Sequence, residues 1–231
     1  MSRIINTFAR HWLWAVALIY GVFVWLPFLA PVLMKAGYVQ SAERIYFIYR
    51  FFCHQLPQRS YFLFGDQLMY DLPTIQAAFE HTTNPMMLRR FVGTEAMGWK
   101  VAWSDRMISF YGGIWLFLLI WLLLPRRPRF SFVTFLLLGT PMVIDGFTHM
   151  ISDALFGIDV GFRYDNAWLA TLTNHAFSTS FYVGDAVGSL NFWLRIITGL
   201  LFSFGLVWWA VPLITRTLTP HYDPNPSFTR R

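Results

Sequence analysis

The sequence predicts an all-α, polytopic helical membrane protein with about four transmembrane helices and a few short interfacial helices. Three observations carry that class. Of the 231 residues, 56% are hydrophobic and only 13% charged, against roughly 25% charged in an average soluble domain. Four stretches are long and apolar enough to cross a hydrocarbon layer, which takes about 20 helical residues. Arginines gather beside those stretches, the pattern that orients a chain in a membrane.

The first span is expected at 12–34. It holds Pro27 and Pro31, which membrane helices tolerate. Arg3 and Arg10 precede it, as in a signal sequence, but the apolar part is too long and lacks a small-residue cleavage site, so a retained anchor is expected. The second span, 108–124, ends at Pro125; the third, 132–151, turns polar in its second half. The fourth, 192–214, carries Trp208 and Trp209 near its end as interfacial anchors.

Together, 1–219 read as one membrane domain, and 220–231 as a flexible cytoplasmic tail. Arg126, Arg127 and Arg129 between spans two and three mark the cytoplasmic side of a cell (plasma) membrane. Arg3, Arg10 and Arg216 agree with it, so both termini are expected in the cytoplasm. The connections 35–107 and 152–191 then lie outside. The latter sets Asp153, Asp159, Asp165 and Asp185 against one arginine, Arg163. In the former, Ser41 is placed to cap a short helix over 42–52, and 66–100 reads as one or two surface helices. A helical patch is expected at 167–172.

A net charge of +6 raises the question of nucleic acid. Its distribution, flanking apolar spans instead of forming a polar stripe, excludes that partner. The expected partner is the lipid bilayer, with other membrane-protein subunits as a further class. A single cysteine, Cys53, rules out an intrachain disulfide and any multi-cysteine metal cluster.

Four polar features stand out against this background. Asp145, His149 and Asp153 fall at i, i+4 and i+8 on one face of the third span. Buried charges in a membrane pair, bind an ion or line a wet cavity. The candidate ligands of a divalent metal are therefore Asp145, His149 and Asp153, with His54; the alternatives are ion pairing and a proton or substrate relay. Cys53, His54 and Arg59 lie close together before a turn at Pro57, with thiol and imidazole pointing about 100° apart on a helix. Asp105 and Arg106 open the second span, and Asp185 and Arg195 flank the start of the fourth. Arg195 is expected to pair with Asp145. Topology brings all four features to the outer ends of the helices. Candidates for chemistry are Cys53, His54, Arg59, Asp105, Arg106 and Arg195.

Taken in order, Cys53-His54-Gln55, Pro57, Arg59-Ser60, then Asp105-Arg106 and Tyr111-Gly112, Pro141 and Asp145-Gly146, and finally Asn191, Arg195 and Thr198-Gly199 resemble a known pattern. It is that of the uncharacterised bacterial and archaeal membrane proteins grouped as domain of unknown function 2085, across 46–212. The stretch 161–191 resembles the version found in Chloroflexota-type bacteria. Members often carry a Cys-Ala-Arg-Cys-type motif where this chain has Trp103-Ser104-Asp105-Arg106, and lack much of 65–100. The resemblance implies fold and membrane location and no particular activity.

Two functions are then in view. One is a polar site at the extracytoplasmic helix ends that binds a metal or small amphiphile, with Arg59 or Arg195 on an anionic headgroup. The other is an auxiliary or structural subunit of a larger respiratory or photosynthetic membrane complex, its 24 Phe and 11 Trp packing on neighbours. A small oligomeric transporter is a third.

Overall fold

The computed structural model describes residues 2–125 and 127–218, with side chains from His11 onward. Arg126 and the tail lie outside the described residues, as do the side chains of Arg3 and Arg10. Four helices are long and apolar enough to cross a membrane, covering His11–Lys35, Asp105–Leu123, Phe132–Phe156 and Leu190–Leu218. The third and fourth run further than the apolar pattern alone suggests, because polar residues at their ends find partners inside the fold.

Helix α1 (Ser2–Lys35) ends where Gly37 takes a φ of 83°. There Gly37 N–H donates to the Met34 carbonyl and Tyr38 N–H to that of Leu33, a left-handed cap that closes the last turn. The chain folds back at once into α2 (Val39–Tyr49). Ser41 lies inside α2 and caps nothing; Ala42 N–H is satisfied by the Tyr38 carbonyl. The helix thus starts and ends three residues earlier than expected. Its inner face (Ala42, Ile45, Tyr46, Tyr49) packs with Ala30, Val101 and Trp103 into one core. The Trp103 indole donates to the Val24 carbonyl and the Tyr49 hydroxyl to that of Phe23.

The next segment adds a small sheet to the mostly helical fold. Strand β1 (Ser60–Leu63), short helices α3 (Leu72–Ala78) and α4 (Pro85–Leu88), and strands β2 (Gly93–Thr94) and β3 (Gly98–Ser104) follow. The strands form an antiparallel sheet in the order β1-β3-β2, with Phe62 opposite Lys100 and a bulge between Ser60 and Phe62. The two surface helices expected across 66–100 are α3 and α4; the sheet beneath them was not anticipated. Lys100 on β3 is fully buried and donates to the carbonyls of Gln55 and Arg89.

Strand β3 runs directly into α5 (Asp105–Leu123), which contains a π-helical turn at Ile108–Gly112 and stops before Pro125. Helix α6 (Phe132–Phe156) is capped by the Ser131 hydroxyl, which accepts from Thr134 N–H, and ends at Gly157 with φ 96°. Three short helices, α7 (Phe162–Asp165), α8 (Ala167–Leu172) and α9 (Thr179–Tyr182), lead to α10 (Leu190–Leu218). Helix α8 matches the expected patch.

Helix α10 is the hub, packed on both α5 and α6. Its seam with α5 is made of small residues. A Cβ at Gly199 would collide with the Ser109 hydroxyl, and one at Gly113 would lie 2.8 Å from that of Ser203. The hydroxyls then bond across the seam, Ser109 to the Arg195 carbonyl and Ser203 to that of Phe110. Such seams replace the hydrophobic effect, which does not drive helices together in lipid. At the end holding Leu124 and Ser131, Leu13, Ala17, Leu118, Trp121, Val207 and Trp208 close the bundle.

A candidate binding site framed by paired charges

At the opposite end the helices present charge inward. Asp105, the first residue of α5, is fully buried. It accepts from Arg195 Nε at 2.8 and 2.9 Å and from Nη2 at 2.7 Å. Nη1 of Arg195 donates to Asp185 at 2.5 Å, and Nη2 also reaches the Asp185 backbone carbonyl. The other oxygen of Asp185 takes Arg59 Nε at 2.8 Å, and both terminal nitrogens of Arg59 donate to Asp153 at 2.9 and 3.3 Å. His149 Nε2 lies 3.5 Å from Asp185. One chain of pairs therefore runs Asp105, Arg195, Asp185, Arg59, Asp153.

A second group centres on Asp145. One oxygen accepts from Arg106 at 2.7 Å and the other from Arg163 at 2.6 Å. Arg163 also donates to Thr148 and Asn191. It is held there because Gly161 packs on Ser152, whose hydroxyl accepts the Arg163 N–H. Asn191 and Asn166 add bonds to the Arg163 carbonyl. The two groups meet at Asp105, which also accepts the Arg106 backbone N–H.

Four arginines (59, 106, 163, 195) thus face four aspartates (105, 145, 153, 185). Balance matters at this depth. Asp145 lies 13 residues into α6, about 20 Å along the axis at 1.5 Å per residue, where an unpaired charge is costly. Burial alone would raise the Asp185 carboxyl, but Arg59 and Arg195 hold it well below the usual carboxylate range.

The expected pairing of Arg195 with Asp145 is corrected: Arg195 takes Asp105 and Asp185, while Asp145 takes Arg106 and Arg163. Topology brought the groups to one end of the bundle but did not give the rotation of each helix. Asp145, His149 and Asp153 do share one face of α6, and His54 stands across the cavity from it. Their carboxylates, however, turn to guanidinium groups. Among the described residues no three His, Cys, Asp or Glu side chains stand together as a metal would require. Cys53 is apart from the network, its thiol donating to the Ser104 hydroxyl and accepting the N–H groups of Gln55 and Ser104. Burial pushes that thiol up. Arg163 was missed as a site residue; its signal was its solitude as the one arginine in an acidic connection.

A cavity of about 440 Å³ opens beside this network, between the loop after α2, the start of α5 and the second half of α6. Arg106, His54 and His149 give it polar walls; Leu56, Met107 and Met150 give it apolar ones. Leu56 N–H donates to His54 Nδ1 at 3.2 Å. Burial, then the charges of Arg59, Arg106 and Arg195, push the His54 imidazole down, although the residue is exposed and lines the cavity, which tempers the effect of burial. A neutral ring whose Nδ1 accepts must carry its proton on Nε2.

The fold and site define a polytopic helical membrane protein with a charge-balanced polar end. Residues 95–209 match the family model described as "Predicted membrane protein (DUF2085)". The matched stretch holds seven of the eight paired charges; Arg59, with His54, lies before it. No curated protein and no solved structure matches the chain.

Proposed function

We propose that the chain sits in the cell membrane with both termini cytoplasmic, and that the cavity at the extracytoplasmic helix ends binds a small amphiphile. One observation carries the reading: a single cavity wall joins hydrogen-bond donors to apolar side chains. Its volume falls within the roughly 300–1,000 Å³ of ordinary ligand pockets. Met150, on its apolar side, is 58% exposed on the outer surface of α6, so a chain in the bilayer has a lateral way in.

Binding fits this wall better than acid–base chemistry does. The carboxylates are engaged by guanidinium groups, and His149 Nδ1 is sealed and without a hydrogen-bond partner in the protein. The orientation is supported by Arg127 and Arg129 lying in the connection at the opposite end.

A thiol-protection experiment tests the reading. Cys53 is 6% exposed, so in Met150→Cys the new thiol is the reactive one. Octyl-chain amphiphiles should slow its alkylation in nanodiscs, while Leu155→Cys, placed on the exposed side of α6, should be unaffected. Equal protection at both positions would remove the cavity as the binding site. A membrane-impermeant reagent should reach the new thiol of Met150→Cys from the extracytoplasmic side only; access from the cytoplasm would reverse the orientation.

A further inference from the structure

We infer that the cavity takes an anionic headgroup of the phosphate class, held by Arg106 and His54. The inference rests on the amphiphile reading and adds the chemistry of the head.

Arg195 and Arg59 are largely committed: the Nε and both terminal nitrogens of each already donate to Asp105, Asp185 or Asp153. Arg106 differs. Among the described residues its one side-chain bond runs from Nη2 to Asp145, and that carboxylate is shared with Arg163. Two guanidinium groups thus divide one counter-charge, and the Arg106 side of the division borders the cavity.

Gly146 makes this placement possible. A Cβ there would lie 2.7 Å from Arg106 Nη1, so the guanidinium passes over bare backbone with Nη1 free to donate onward. On the facing wall, the accepting Nδ1 of His54 leaves Nε2–H as its donor. The one carboxylate on the wall, Asp153, has both oxygens on Arg59. His149 Nδ1 is sealed from the cavity, so what the wall chiefly offers a ligand is donors, and a ligand that brings acceptors suits it.

An anion suits the shared counter-charge at Arg106, because charge-assisted bonds to guanidinium are about twice as strong as neutral ones. A tetrahedral oxyanion suits two donors arriving from different elements, α5 and the loop after α2. Leu56, Met107, Met150 and Ala154 receive the attached chain.

Native mass spectrometry of the full chain in mild detergent, titrated with octyl phosphate, octyl glucoside and inorganic phosphate, tests the inference. Octyl phosphate should bind tightest. Arg106→Gln should weaken it about tenfold, the size of one lost charge-assisted bond, and leave octyl glucoside unchanged. Arg106→Gln keeps Asp145 paired with Arg163, so the fold should hold; Arg106→Lys should recover part of the affinity. His54→Phe should weaken octyl phosphate less.

Octyl phosphate and octyl glucoside binding alike, with no effect of Arg106→Gln, would overturn the anionic head and leave the amphiphile reading standing. Binding of neither would overturn both. Inorganic phosphate binding as tightly as octyl phosphate, with the same loss in Arg106→Gln, would uphold the phosphate chemistry and overturn the amphiphile.

Discussion

At the end that holds Leu124 and Ser131, α1, α5 and α10 meet through Leu13, Leu118, Trp121 and Trp208. At the other end α5 and α10 meet α6 through Asp105, Asp145 and Arg195, bridged by Arg59, Arg163 and Asp185 of the two long connections. The first contact is dispersion and shape, which many side-chain combinations satisfy. The second is directional, and each member has one arrangement in which every charge is paired. A bundle needs only the first kind to associate in lipid. Buried charge is costly to place in a membrane, and here it borders the cavity, so the polar end is where function is to be sought.

The comparison breaks most sharply at Asp185. Asp185→Ala strips a partner from Arg59 and from Arg195 and should cost about 3–5 kcal/mol, the range for a broken buried pair. Thermal denaturation in detergent, or loss of monodisperse protein, would register it. Asp153→Ala, at the half-exposed rim of the same chain of pairs, should cost clearly less, because Arg59 keeps Asp185. Equal losses would mean that the network is not hierarchical.

Lys100 extends the polar end into the sheet, and its effect depends on pH. Burial, with Arg50 and Arg89 nearby, pushes its amine down to about 7 from an ordinary 10.5. Between those values the unfolded chain binds the proton that the folded chain has released. Stability from this group therefore rises with pH above about 7 and is flat below it. The melting temperature of the wild type minus that of Lys100→Met should grow from about pH 7 to about pH 8.5. A constant difference would place the charged amine in the fold throughout.

At the apolar end a volume-conserving swap sharpens the contrast. Leu118→Met should cost less than about 1.5 kcal/mol, whereas the equally conservative Asp105→Glu should cost more, because the longer carboxylate cannot keep the Arg195 geometry. Ser131→Ala should fall at the lower end of the scale, about 1 kcal/mol for a lost helix cap, and leave ligand binding untouched. Denaturation midpoints of the three variants would order them.

The four spans were legible because crossing lipid demands long apolar helices, and composition alone records that demand. The membrane level of Arg59, Asp105, Arg106, Asp145, Asp153, Asp185 and Arg195 followed from topology. Their partners did not, since spacing along a helix says nothing about its rotation against neighbours. Arg163 escaped because Gly161, Ser152 and Asn191 fold a loop back over the bundle, a long-range event without local periodicity. The sheet escaped because its strands are short and its β1–β3 pairing is interrupted by a bulge. The small seam of Ser109, Gly113, Gly199 and Ser203 was present in the sequence as two i, i+4 pairs but has meaning only once the two helices face each other.

The most direct measurement is a structure of the protein saturated with octyl phosphate. The account predicts headgroup density within hydrogen-bonding reach of Arg106 and His54 Nε2, its chain along Leu56 and Met150, and the eight paired charges undisturbed. Headgroup density elsewhere, or a cavity that stays empty at saturating ligand, would contradict it.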